Sequence, residues 1–243
     1  MGAIALYARP SAAYGEKLAA TRALLLRAAT EFAPVTQASS LGAEDVVITH
    51  LINSLAVDIP VFVLETGTLH PQTLELLERT VATSRVPVNV YRPVQEHVVR
   101  FVEREGAEAM YRSIELRKAC CHLRKMEPLE RALAGHRAWI TGLRREQSNA
   151  RADVPAIDTS DARRVKINPL ADWTNGDVWH YIASNAVDYN PLHDEFYPSI
   201  GCAPCTRAVA VGEDFRAGRW WWEDEAAKEC GLHVKDNQES ATA

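Results

Sequence analysis

No stretch of the 243 residues approaches the ~20 consecutive apolar positions a membrane helix needs. The apolar segment from Leu18 to Leu26 is broken by Thr21 and Arg22 and carries no cleavage pattern, so no secretory signal peptide is expected. Positive charge is not in excess either. Lys and Arg number 27 against 32 Asp and Glu, a net charge of −5 that argues against a nucleic-acid partner or an anionic membrane surface. Lysine is scarce, at six residues, and the other 21 basic residues are arginines, whose planar fork favours bidentate contacts with oxyanions. Cysteine comes to five, an odd number that suits a secreted disulfide scaffold badly. A reducing cytoplasm is therefore expected, where clustered cysteines are metal ligands or catalysts more often than bridges. What is present, 47% hydrophobic and 24% charged residues, is too apolar for disorder and suits one medium domain or a domain with a small appendage.

Apolar periodicity places a helix over Gly15 to Phe32 after a short lead ending near Tyr14. A strand over Pro34 to Ala38 runs into Ser39-Ser-Leu-Gly-Ala-Glu-Asp45, and Val46 to Leu55 follows as a helix. A second strand, Ile59 to Leu64, leads into Glu65-Thr-Gly-Thr-Leu-His70, and Pro71 sits where a helix starts. Val86 to Tyr91 and Ala138 to Thr141 read as further strands, Ile167 to Leu170 as strand-like, and Thr174 as an N-cap. Strands alternating with helices predict an α/β, doubly wound, mostly parallel sheet. In such sheets ligands bind beyond the carboxyl ends of the strands. Three polar junctions, 39–45, 65–70 and 141–151, fall at those ends.

The first junction offers hydroxyls, a glycine and a helix start, a seat for phosphate. It equally fits a plain Ser-capped helix with Glu44 and Asp45 complementing the dipole. It is neither a P-loop nor GxGxxG. The third junction carries Arg144, Arg145 and Arg151, three cations able to clamp phosphate or sulfate, or else a solvated surface loop. Cys120 and Cys121 are adjacent, and Cys202-Ala-Pro-Cys205 is a CxxC. Four thiolates suit tetrahedral zinc or an iron–sulfur cluster. Two adjacent residues reach one small zinc ion poorly, which favours [4Fe–4S]. A vicinal disulfide and buried inert thiols are the alternatives. Cys230 is left over, between Lys228 and His233, which could lower its pKa. The Trp220–Trp222 triplet reads as packing that docks a tail, and the remaining histidines, His193 among them, show no metal spacing.

Taken together, Lys118-Ala-Cys-Cys, Cys-Ala-Pro-Cys and Glu-Cys-Gly-Leu-His233 resemble the thioredoxin-dependent assimilatory adenylyl-sulfate (APS) reductases that carry a [4Fe–4S] cluster. The resemblance runs from about Ala38 to His233 and includes Ser40-Leu-Gly-Ala-Glu-Asp45, Thr66-Gly-Thr-Leu-His-Pro71 and Thr141-Gly-Leu-Arg-Arg-Glu-Gln-Ser148. It implies an adenine-nucleotide alpha-hydrolase-like fold, with residues 1–219 as the nucleotide-binding reductase domain and 220–243 as a mobile tail. By the same resemblance Cys120, Cys121, Cys202 and Cys205 would hold one cluster per chain, and Cys230 would be the nucleophile. Lys125, Arg151, Arg216, Arg219 and His233 would line the sulfate and phosphate pocket. Ser39, Ser40, Gly42, Glu44 and Asp45, with Glu65, Thr66 and Gly67, would hold the nucleotide. The second loop departs from the relatives' Leu-Asp-Thr-Gly plus a basic residue: it reads Leu64-Glu-Thr-Gly67 and then Thr68, one cation fewer.

The implied reaction reduces adenosine 5′-phosphosulfate to sulfite and AMP through an S-sulfocysteine, within sulfate assimilation toward cysteine. Its electrons would come from thioredoxin or a glutaredoxin-like thiol donor. The nearest alternative is a 3′-phosphoadenylyl-sulfate (PAPS) reductase or a dual enzyme. Readings of other classes are an ATP pyrophosphatase with a structural metal and a non-catalytic metal-binding module. Homo-oligomerisation is left open.

Overall fold

The computed structural model describes residues 2–148 and 151–223. Its chain order is α1 (Ala3–Tyr7), α2 (Tyr14–Glu31), β1 (Val35–Ser39), α3 (Ala43–Leu55), β2 (Val61–Leu64), α4 (Pro71–Thr83) and β3 (Val88–Tyr91). Then come α5 (Gln95–Glu105), α6 (Ile114–Cys121), a π-helical turn (His122–Met126), α7 (Glu127–Leu133), β4 (Ala138–Ile140), β5 (Ile157–Asp158), β6 (Val165–Ile167) and α8 (Asn175–Ser184). No helix among the described residues is long and apolar enough to cross a membrane.

The strands form one sheet in the order β3-β2-β1-β4-β6-β5. Gln37 of β1 pairs with Val61 on one side and Ile140 on the other, both in parallel register. All neighbours are parallel except the two-residue edge strand β5, which runs against β6. Chain order reverses its lateral direction between β1 and β4, the switch point where doubly wound sheets open a crevice.

Proline explains where the strands begin. Pro60 and Pro87 have no N–H to give to a ladder, so β2 starts at Val61 and β3 at Val88, later than the apolar runs from Ile59 and Val86 suggest. Their carbonyls still serve: Pro60 accepts from Gln37 N–H at 2.9 Å, and Pro87 from Val61 N–H at 2.8 Å. β6 also differs from expectation, lying at Val165–Ile167 ahead of the Asn-Pro pair. The lead before Tyr14 is not featureless, because α1 buries Ala3 completely. Residues 95–133, where apolar periodicity proposes no element, carry α5, α6, the π-helical turn and α7.

Alternation along β2 sends Val61 and Val63 to one face and Phe62 to the other. The first face packs on the larger core with Val47, Ile48, Leu51, Ile140 and Ile167; the second meets Leu129, Leu133 and Trp139. One polar link fixes α3 on β1. Fully buried Gln37 donates to the Asp45 carbonyl at 2.9 Å and accepts from the Thr49 hydroxyl at 2.9 Å. Thr174 caps α8 as expected. It accepts from Asp177 N–H at 3.0 Å while Asp177 accepts from Thr174 N–H at 2.9 Å.

Candidate active site at the carboxyl edge of the sheet

A cavity of about 210 Å³ lies beyond the carboxyl ends of β1, β2 and β4. Its floor is the first junction. Leu41 turns the chain there with φ at 61°, a left-handed conformation uncommon for leucine. The Asp45 carboxylate closes the turn, accepting from Ser40 N–H and Ser40 Oγ, both at 2.7 Å. Gly42 is the N-cap of α3 and lends no side chain, so the Ser-capped alternative is not what forms. Burial pushes the Asp45 carboxyl up to about 6, with Glu44 adding to the rise and the Ser40 bonds opposing it. Gly142 makes the first and third junctions meet. A Cβ on it would lie 2.5 Å from Asp45 Oδ1 and 2.7 Å from Glu44 Cβ, which no side chain tolerates.

The three arginines of the third junction have separate fates. Arg144 is 1% exposed and satisfied internally: its Nε donates to Glu44 at 2.8 Å and its Nη1 to Glu146 at 3.1 Å and the Trp173 carbonyl at 3.2 Å. Arg145 points to the surface, bonded to the Val154 carbonyl and Asp172. Arg151 alone lines the cavity, its Nη1 on Gln147 Oε1 at 2.7 Å. An anion clamp of all three is therefore not brought together. Ser39, Ser40, Gly42, Glu44 and Asp45 all reach the cavity wall. From the second junction Thr66 and Leu69 do, and Glu65 and Gly67 do not. Glu65 instead shapes its own loop, accepting from Gly67 N–H at 2.6 Å and from Arg92 at 3.1 Å.

Lys125, Arg216 and Arg219 complete the cationic side. Arg219 is 7% exposed, stacks 4.6 Å from the Trp220 ring, and pairs with no carboxylate among the described residues. Its Nη1 has the Ser199 hydroxyl at 3.4 Å and the Ile200 carbonyl at 3.3 Å, and its buried Nε has no partner. An orphaned buried guanidinium N–H in a cavity is a binding group for an oxyanion.

The two cysteine pairs come together beside this cavity. Cys120 and Cys121 end α6, and Cys202 and Cys205 bracket a short 3₁₀ turn. Cys120, Cys202 and Cys205 pack with Met110 and Trp220. None of the four is in a disulfide, so the vicinal bridge does not form. Cys202 Sγ lies 3.3 Å from Thr66 Oγ1. Burial works against its thiolate, yet the Lys125 ammonium and the Thr66 and Thr68 hydroxyls hold the thiol below its ordinary range. Burial pushes the Cys205 thiol up to about 12, with Cys202 and Cys121 adding to it. It raises Cys120 as well, against the pull of Arg124. Four clustered thiols, Cys202 and Cys205 buried and Cys120 and Cys121 partly so, whose charged forms oppose one another, fit a thiolate-ligated metal group, which would neutralise them. Among the described residues no three His, Cys, Asp or Glu side chains form a single-ion site.

Three cavity residues carry no mark in the sequence. His193 lines the wall, its Nε2 buried without a partner and its pKa pushed down to about 4 by burial, so the ring is neutral. Trp139 and Phe62 supply the apolar wall. Nothing in local sequence marks them, since β-strand alternation alone sends them there. Cys230, Lys228 and His233 lie outside the described residues.

A mostly parallel sheet with its cavity at the switch point, a serine-rich first junction and cations over the pocket define an α/β protein of the adenine-nucleotide alpha-hydrolase-like fold class. Residues 34–208 match the phosphoadenosine phosphosulfate reductase domain, and the chain belongs to that family. It is 49% identical over 219 residues to the adenosine 5′-phosphosulfate reductase of Allochromatium vinosum, covering 90% of this chain and 86% of that one. The corresponding reductase of Burkholderia cepacia is 51% identical over 213 residues, 87% and 85% of the two chains. Among solved structures, the phosphoadenylyl-sulfate (PAPS) reductase of Candida auris, a phosphate complex, aligns with a TM-score of 0.66 at 27% identity over 78% of this chain and 90% of that one. The FMN adenylyltransferase of Candida glabrata, 13% identical with a TM-score of 0.57 over 93% of this chain and 81% of that one, shares the fold.

Proposed function

We propose that this chain reduces adenosine 5′-phosphosulfate to sulfite and AMP. The observation that carries the reading is the juxtaposition of four cysteines outside any disulfide with a cationic cavity, through Thr66, which lines the cavity and touches Cys202. The names borne by the relatives near 50% identity support it.

In this reading the loops at 39–45 and 66 seat the nucleotide, and Lys125, Arg151, Arg216 and Arg219 face the phosphate and sulfuryl oxygens. A dianionic sulfuryl group repels a thiolate, so positive charge must collect where they meet. The Cys230 thiolate attacks the sulfur, the bond from sulfur to the bridging phosphate oxygen breaks, and AMP leaves with that electron pair. Cys230 then carries a sulfonate. One thiol of a reduced thioredoxin, or a glutaredoxin-like donor, attacks Cys230 Sγ and releases sulfite. The donor's second thiol resolves the mixed disulfide, so two thiols are oxidised for one sulfuryl group reduced. Cys120, Cys121, Cys202 and Cys205 would hold a [4Fe–4S] cluster, which when bound supplies polarising charge beside the sulfuryl site. Residues 220–243 are proposed to act as the tail that brings Cys230 in. The setting would be the cytoplasmic reduction of sulfate toward cysteine.

A second reading, turnover of PAPS alone or of both substrates, is favoured by the likeness to the Candida auris PAPS reductase. Sulfite release measured with APS, with PAPS and with neither, thioredoxin supplied in each, separates them. Release with PAPS only would overturn the first reading. Protein mixed with APS and no thiol donor is expected to gain one sulfonate on the Cys230 peptide, absent in Cys230→Ser.

A further inference from the structure

Arg124 is not among the cations expected at the site, yet it joins the two halves of it. Its Nη1 donates to the Thr66 carbonyl at 2.7 Å, and it stands one helical turn beyond Cys120, its positive charge beside that thiol. The two residues stand four apart where α6 passes into the π-helical turn, so they share one helix face. Lys125, five beyond Cys120, still lines the cavity. Gly67 has φ at +73°, and a Cβ there would lie 3.2 Å from Arg124 Nη1. The bare backbone lets the guanidinium sit against the loop.

That loop is bound on its other side as well. The Thr66 hydroxyl meets Cys202 Sγ at 3.3 Å, and Ala203 N–H donates to the Thr68 carbonyl at 2.7 Å. Residues 66–68 are thus fastened to one cysteine pair by Thr66 and Thr68, and to the other by Arg124. Thr66 also faces the nucleotide cavity. The rigid guanidinium fork holds the Thr66 carbonyl in a fixed direction from the helix that carries Cys120. A lysine ammonium on its flexible stem gives up that geometry.

We propose that Arg124 is a positioning residue that makes the loop 66–68 and Cys120 one mechanical body, so that nucleotide in the cavity and retention of the group held by the cysteines favour each other. The inference rests on the nucleotide reading given above. Linkage makes it reciprocal: whatever factor bound nucleotide adds to retention, the retained group adds to nucleotide affinity.

AMP is the probe. Its affinity is measured by calorimetry on the protein as purified, for wild type, Arg124→Met and Arg124→Lys. The second readout is the rate at which a chelator with iodoacetamide alkylates Cys120, followed by peptide mass with and without saturating AMP. Wild type should show AMP slowing alkylation severalfold. Arg124→Met should bind AMP about tenfold more weakly and lose that protection. Arg124→Lys should keep a near wild-type rate without AMP yet gain little protection from it. A merely structural role would quicken alkylation equally in both conditions and leave the protection ratio unchanged. An Arg124→Met protein with AMP affinity within twofold of wild type, or with the wild-type protection ratio, overturns the inference. Failure of the nucleotide reading would show already in wild type, which would then not bind AMP.

Discussion

Arg117 and Glu223 form a bidentate ion pair with almost no exposure, Nε to Oε1 at 2.9 Å and Nη2 to Oε2 at 2.7 Å, their side chains 2% and 3% accessible. The guanidinium lies 4.9 Å from the Trp220 ring, between the helix that ends in the cysteine pair and the segment after Arg219. Removing one partner leaves the other charged in a dry site, typically about 3–5 kcal/mol worse. Glu223→Ala should therefore lower the melting temperature by roughly 10 °C. The double variant Arg117→Met/Glu223→Leu should recover most of it, because an apolar pair of similar volume carries no desolvation cost. A double variant that melts no higher than Glu223→Ala contradicts the account.

Arginines that look alike in sequence should behave differently on substitution. Arg219→Ala removes from the cavity a cation with no carboxylate partner among the described residues and should raise KM tenfold or more, from about 1.5–3 kcal/mol for a charge-assisted contact. Arg145→Ala should change neither KM nor melting, since its pairing with Asp172 is solvent-exposed. Arg144→Ala should act on stability, because it strips the buried partner from Glu44. Steady-state kinetics and thermal melts on the three variants decide this, and equal KM values throughout would return Arg219 to a packing role.

Acid should weaken the anchoring of the N-terminal segment. Asp177 accepts from Ser11 N–H at 2.7 Å and pairs with Lys17 at 2.8 Å. Burial works against its charge, but these bonds together with those of Thr174 hold the carboxyl down to about 2, from 3.8. A depressed folded-state pKa means the stabilisation is complete above about 4 and is lost as pH falls through 2. Denaturant midpoints between pH 5 and 2 should fall for wild type and flatten for Asp177→Asn, which starts lower. Parallel curves for the two proteins would exclude Asp177 as the cause.

Iron content gives the most direct check on the cysteines. Protein purified without oxygen should be brown and hold about four irons and four acid-labile sulfides per chain. Cys202→Ser should lose most of both, since an alkoxide is a harder ligand than a thiolate. Stoichiometric zinc without labile sulfide would overturn the cluster reading.

How much of this was legible in the sequence depended on distance along the chain. The four-residue strands and their junctions were visible because Val61 to Leu64 is an unbroken apolar run and Val88 to Tyr91 alternates β-branched Val88 and Val90 with Asn89 and Tyr91, both preceded by proline and followed by turn residues. Their first residues were misplaced by the prolines. Thr174 was readable as a cap because its partner Asp177 is three residues away. Arg144 was not, because Glu44, which claims it, lies 100 positions earlier. Arg124 was hidden for a related reason. A helix reading offers no sign of a π-helical turn after Cys121, and its carbonyl partner belongs to another strand's loop. His193 reaches the cavity only because the irregular chain after α8 folds back over the sheet edge.

The hollow at Gly142 has a consequence for anyone recombining relatives of this protein. Its hydrogen sits where a methyl would strike both Asp45 and Glu44, so the contour after β4 is cut to fit the start of α3. These two segments, about a hundred residues apart in the chain, make a single moulded joint. A chimaera that imports 141–148 from a homologue while keeping its own 39–45 inherits half of a lock. The workable crossover carries both pieces from the same parent.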